Sequence, residues 1–144
     1  LFAIFLTVNA VSFQLNKRAT TFNHCKGIPD SELLTVTINP DPLASNQSAQ
    51  YNVSGTLTKY NITASQTFLG IFLQKGPYLI SDGYNQAFDK SYNAGIAFTI
   101  FASNVSVPTL PDSYSIFVLV GVPASANSAN SAIYGCAQAL VGSV

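Results

Sequence analysis

With 144 residues the chain is sized for one domain. Its six Lys or Arg, six Asp or Glu and single His are scattered, so a nucleic-acid partner has no electrostatic footprint. One His and two Cys are too few, and wrongly spaced, for a closed zinc site.

Residues 1–18 open on "LFAIFLTVNAVSFQ", an apolar run of signal-peptide length that is too short to span a bilayer, and close on "LNKR". We read 1–18 as the remnant of a signal peptide ending in a dibasic processing site at Lys17-Arg18, the alternative being a solvated charge pair. The single folded domain is then 19–144, where four Lys face six carboxylates and Ser, Thr and Asn must hydrate the surface. Four Asn-X-Ser/Thr sequons, at Asn46, Asn52, Asn61 and Asn104, suggest a glycosylated product that is secreted or held in a vacuolar or endosomal lumen.

In "FNHCKG", Phe22 to Gly27, the only His adjoins one of the two Cys. Adjacent residues of an extended segment point in opposite directions, so His24 is badly placed to activate Cys25. In an oxidising compartment Cys25 and Cys136 are expected to pair, closing nearly the whole domain in one loop; unpaired structural thiols and a reactive thiol are the alternatives.

From there the periodicity reads as strands. Leu34, Val36 and Ile38 alternate with Thr35 and Thr37 until Pro40 and Pro42 stop the run. In "YNVSGTLT", Tyr51, Val53, Gly55 and Leu57 share one face, and Asn52 lies on the other. "TFLGIFL", Thr67 to Leu73, is apolar almost throughout and reads as a strand buried on both faces. "PYLI" follows, and "SDGYNQ" reads as a turn. "GIAFTIFA" is another strand, "VPTLPDS" an extended crossing, and "YSIFVLVGV" a strand with Tyr114, Ile116, Val118 and Val120 on one side. "PASANSANSA" is a hairpin connection before the last strand, "AIYGCAQALV". Seven or so short strands with no convincing helix predict an all-β, two-sheet antiparallel sandwich, with a closed barrel as the alternative.

A catalytic signature is missing from this pattern: no nucleophile elbow, phosphate loop or paired carboxylates, and the Asp residues sit mostly at turns and strand ends. We therefore read a non-enzyme that needs no cofactor. The order "F-x-x-C-x-G", "LLTVTINPDP", "YNVSGTLTKYNI", "FLGIFLQKGPYLI", "LPDSYSIFVLVGVPA" and "YGC" resembles the ML lipid-recognition domain, the family of the Niemann-Pick type C sterol carrier and of fungal phosphatidylglycerol/phosphatidylinositol transfer proteins. The resemblance covers most of 19–144. It departs from the family in lacking further Cys near the first and central strands. It implies an immunoglobulin-like sandwich with an apolar cavity between its sheets, a phospholipid or sterol ligand, transient membrane contact for loading, and a monomer. The dibasic site and sequons favour the fungal branch.

With the inward register taken from alternation, the cavity would be lined by Val36, Ile38, Tyr51, Val53, Phe68, Phe72, Tyr78, Ile80, Phe98, Ile100, Tyr114, Ile116, Val118 and Val120. The Tyr78 hydroxyl would meet a head group at the mouth. The competing reading is a secreted recognition module or effector that binds a protein or glycan through its surface.

Overall fold

Strands take up the alternating runs in the computed structural model, which describes residues 19–123 and 132–142. In chain order they are β1 (Asn23–His24), β2 (Glu32–Leu33), β3 (Thr35–Asn39), β4 (Ser48–Thr56), β5 (Phe68–Lys75), β6 (Tyr78–Leu79), β7 (Tyr84–Ala87), β8 (Ala97–Ser106), β9 (Ser113–Val122) and β10 (Ala132–Gly142). There is no helix among the described residues. The expected leader and processing site, and most of "PASANSANSA", lie outside the described residues.

The larger sheet runs β1-β10-β9-β5-β6, with β2 also pairing β10 and β7 pairing β5; the smaller sheet is β3-β4-β8. Every pairing is antiparallel except the two-residue one between β2 and β10. Taken strand for strand, β3-β4-β8 against β7-β5-β9-β10 is the A-B-E and C′-C-F-G arrangement of an immunoglobulin-like sandwich.

The core lies between the sheets. Leu69, Ile71 and Leu73 of β5 stand opposite Val120, Val118 and Ile116 of β9, and Ala137 and Ala139 of β10 continue the same face. Val36, Tyr51, Val53, Phe98, Ile100 and Ala102 meet them from the smaller sheet, all buried. Val53, Leu69, Ala102, Ile116, Val118, Val120 and Ala137 are 0 % exposed, so the sheets touch directly across the centre. Removing each large aliphatic side chain from water contributes about 1.5–3 kcal/mol.

Three expectations are corrected. The "TFLGIFL" strand is not buried equally on both faces: Leu69, Ile71 and Leu73 point inward, while Phe68, Gly70 and Phe72 form the half-buried outer face. Phe72 there stacks on Phe117, ring centroids 5.2 Å apart. A run apolar almost throughout carries no period-2 signal, so the register of this strand could not be read from it. Tyr78 of "PYLI", expected to line the interior, does not, because β6 is a two-residue return at the sheet edge with both Tyr78 and Leu79 exposed. "SDGYNQ" is only half a turn, since its last three residues begin β7.

Two local devices shape the edges. The β4–β8 register shifts between Ala49 and Tyr51, where Asn104 takes a left-handed φ of 60°. Asn tolerates that region better than most residues, and the resulting bulge re-phases β8 so that Val105, and then Val107, turn inward after Ala102. At Gly135 a Cβ would stand 2.6 Å from a Leu34 methyl, so only glycine lets Leu34 seat between the sheets.

Cys25 and Cys136 form a disulfide, as expected, with Cα atoms 5.7 Å apart. His24 is structural: its Nε2–H donates to the Ser31 carbonyl at 2.6 Å, and the Ser31 hydroxyl donates to the Ile28 carbonyl, closing the loop that carries Cys25. All four sequon asparagines are exposed, Asn52 on the outward register expected of it.

Candidate functional site

Of the fourteen residues expected to line an interior site, nine are buried on the inner faces: Val36, Tyr51, Val53, Phe98, Ile100, Tyr114, Ile116, Val118 and Val120. Ile38 and Ile80 pack on this core from its margin. Phe68 and Phe72 do not belong to the interior, for the register reason above. Nor does Tyr78, which is 74 % exposed at the hairpin tip.

The interior is apolar except at one end. There Tyr51 and Tyr114 place their buried phenol rings. Burial, and then the Tyr114 neighbour, push Tyr51 well above the ordinary phenol range. Tyr114 is raised by burial and then by the charge of Asp41. Asp41 is itself held by the backbone N–H and hydroxyl of Thr20 at 2.9 and 2.7 Å. The other end is filled by rings: Phe88 meets Phe98 edge-on at 5.7 Å and Tyr92 at 6.5 Å.

The long sides of the sandwich differ as well. On the side of β3 and β10 the chain itself crosses from β2 into β3. Glu32 there accepts hydrogen bonds from the Thr58 backbone N–H, the Thr58 hydroxyl and the Lys59 N–H at 2.9, 2.7 and 3.4 Å. Burial works to raise the Glu32 carboxyl, yet these donors and the Lys59 charge together hold it below the usual carboxylate range. On the side of β7 and β8, the Gln86 amide donating to the Phe101 carbonyl at 3.3 Å is the one side-chain hydrogen bond between the two strands among the described residues. The Tyr84 hydroxyl in turn donates to Gln86 Oε1 and orients it.

Beyond Gln86 the edges part. A cleft of about 350 Å³ opens between Ser81–Tyr84 and Asn104–Pro108, with Val107 and Tyr84 at its apolar end and Asn104, Ser106 and Asp82 at its wet one. A second, larger groove of about 530 Å³ lies on the outer face of the larger sheet, where Gly70 leaves room between Phe72, Leu79, Tyr84 and Leu119. Both features converge on residues 82–84. The cleft residues escaped sequence reasoning because they are brought together by the β8 bulge; the Asn in "ASNVSV" was its only local sign.

Among the described residues, no three His, Cys, Asp or Glu side chains are grouped to hold a metal, and no buried side-chain polar atom lacks a partner. What the fold and site define is an immunoglobulin-like sandwich with an apolar interior, strapped along one side and parted along the other. No family model matches the chain, and no curated protein matches it. Among solved structures it is similar to chicken MD-1 crystallised with lipid IVa, with a TM-score of 0.47 and 9% identity, over 85% of this chain and 88% of that one. A likeness at that level assigns no function.

Proposed function

We propose that the protein is a secreted binding protein for a lipid, a phospholipid or sterol whose apolar part lies between the two sheets. The observation that carries this reading is the pairing of an inner surface that is apolar across its centre with a side along which the sheet edges already part. A ligand entering at Ser81–Tyr84 and Asn104–Pro108 meets Tyr84 and Val107 first, then Ile71, Ile100 and Val118. Because the centre is in contact, accommodation requires the β7 and β8 edges to separate. That motion breaks one amide hydrogen bond, and the exposed apolar surface it creates is covered by the ligand at about 25 cal/mol per Å². Tyr51 and Tyr114 supply hydroxyls at one end for a polar group. The sequence resemblance to ML domains and the exposed sequons support the same reading.

The test is organic extraction of the purified protein followed by lipid mass spectrometry, with titration of a fluorescent acyl probe into wild type and Val118→Trp. Val118 is 0 % exposed at the centre, so the indole should cost about 1–3 kcal/mol. It should abolish probe uptake if the ligand lies between the sheets. Unchanged uptake in a folded Val118→Trp protein would move the ligand out of the interior.

A second reading is favoured by the outer groove at Phe72, Leu79 and Leu119: recognition of a protein or glycan through the larger sheet's face. Part of the apolar surplus of "TFLGIFL" stands on that face rather than in the interior. A wild type that yields no extractable lipid and takes up no acyl probe would select it.

A further inference from the structure

The turn that joins β5 to β6 carries two large apolar side chains into solvent. Tyr78 is 74 % and Leu79 58 % exposed, on opposite faces of β6, and no charged residue lies between Gly76 and Ser81. The backbone of this hairpin is nearly self-sufficient in hydrogen bonds: Lys75 pairs with Tyr78, Gln74 pairs with Leu79, and Ile80 N–H donates to the Leu73 carbonyl at 2.9 Å. Of the two turn residues, Gly76 sits at a positive φ of 59° at the first central position, as a type II′ turn requires, and Pro77 has no N–H at all. The tip therefore presents apolar surface with few unpaired donors, the condition for leaving water for a lipid phase without a backbone penalty. Lys75 lies beside the turn directly opposite Tyr78, held to Ser113 at 3.0 Å, and its long stem lets the ammonium reach back among head groups.

We infer that the β5–β6 hairpin tip, Tyr78 and Leu79, is the element by which the protein docks on a bilayer surface. Tyr suits the interface, with its ring among the upper acyl carbons and its hydroxyl among head groups, and Leu79 adds an aliphatic anchor. The carboxylates Asp82, Asp112 and Asp41 outnumber Lys75 among the residues of this tip, the cleft and the tyrosine end. Attraction to anionic lipid is therefore not the driving force, and a zwitterionic surface serves. The tip is continuous with the parted side of the sandwich: Pro77 and Leu79 line the outer groove, which shares Asp82, Gly83 and Tyr84 with the cleft between β7 and β8. A docked tip would thus set the cleft against the membrane. The inference rests on the proposed function only for what passes through that cleft.

Cosedimentation with phosphatidylcholine vesicles tests it, using wild type, Tyr78→Ser/Leu79→Ser, and Ile96→Ser as a control, since Ile96 is equally exposed elsewhere at 56 %. The double variant should partition about tenfold or more weakly, Ile96→Ser as wild type, and added phosphatidylserine should not strengthen binding. Wild type that does not cosediment, an equal loss in Ile96→Ser, or binding that appears only with phosphatidylserine and vanishes in salt would overturn the inference. Uptake of a monomeric fluorescent acyl probe in vesicle-free buffer, run in parallel, separates the two proposals. Tip-dependent cosedimentation without uptake sinks the lipid-carrying function and leaves the docking surface. Uptake without cosedimentation does the reverse.

Discussion

The two long sides of the sandwich are built on different terms. Along β3 and β10 the sheets are joined by the crossing chain, by Leu34 seated on Gly135 and by the Glu32 carboxylate on Thr58 and Lys59, while the Cys25–Cys136 bond fastens the segment between β1 and β2 to β10 within the larger sheet. Along β7 and β8, the Gln86 amide is the one side-chain hydrogen bond from strand to strand among the described residues, and below it the edges leave a cleft. On the proposed function, one side serves as a hinge and the other as a seam. The contrast shows how a domain with so few charges can be held firmly and still have somewhere to open: covalent and ionic restraints are concentrated on the side away from the cleft.

The largest effect should come from the hinge. Replacing both cysteines, Cys25→Ala/Cys136→Ala, frees a loop of 111 residues and should lower unfolding free energy by about 4–5 kcal/mol on chain-entropy grounds. Urea unfolding measures it. If the seam is where ligand enters, acyl-probe affinity at low temperature should stay within a few-fold of wild type. A collapse of affinity in a folded double variant would break the distinction between the sides.

Next comes alkaline pH. Tyr51 has its folded pKa raised above the unfolded value near 10, so the folded state holds its proton longer. That contribution is fully present below pH ~10 and is lost as pH rises through the folded value, with a slope of up to about 1.4 kcal/mol per pH unit. Tyr51→Phe should flatten the alkaline limb of a urea-midpoint profile. An unchanged limb would mean that the hydroxyl is hydrated rather than enclosed.

Glu32→Gln tests the hinge without touching its covalent bond. The carboxylate is largely exposed, so the loss at neutral pH should be about 0.5–1 kcal/mol. Because its folded pKa is depressed, the carboxylate's contribution is present above the ordinary carboxyl range and disappears as pH falls through the folded value. Wild type and variant should converge in acid; a gap that widens there would assign the effect to packing.

The smallest stability change belongs to the seam. Gln86→Ala should cost less than about 1 kcal/mol. It should nonetheless speed the release of a bound acyl probe in stopped-flow dilution, whereas Glu32→Gln should not. Equal release rates in the two variants would erase the difference between hinge and seam.

Alternation was enough to orient β3 and β4, because each sets Thr, Ser or Asn against Val, Ile and Tyr, and burying the polar set would leave hydroxyls and amides unpaired; in β9 only Ser113 and Ser115 at its start carry that signal, since Phe117 and Leu119 share their face. The disulfide was legible for a similar reason: two cysteines at the ends of one domain, in a chain with the marks of secretion, have only each other. In β5, where both faces are apolar, one-residue slips cost similar burial. Phe68 and Phe72 were assigned inward until pairing with β9 put Leu69, Ile71 and Leu73 opposite Val120, Val118 and Ile116. Tyr78 looked like a lining residue because an aromatic beside "GP" carries no mark of its exposure, which depends on how far β6 extends past the sheet. The cleft is further still from any local signal. It exists because a left-handed Asn104 re-phases one strand and because β7 is short, and the space between two sheet edges is a property of neither strand alone.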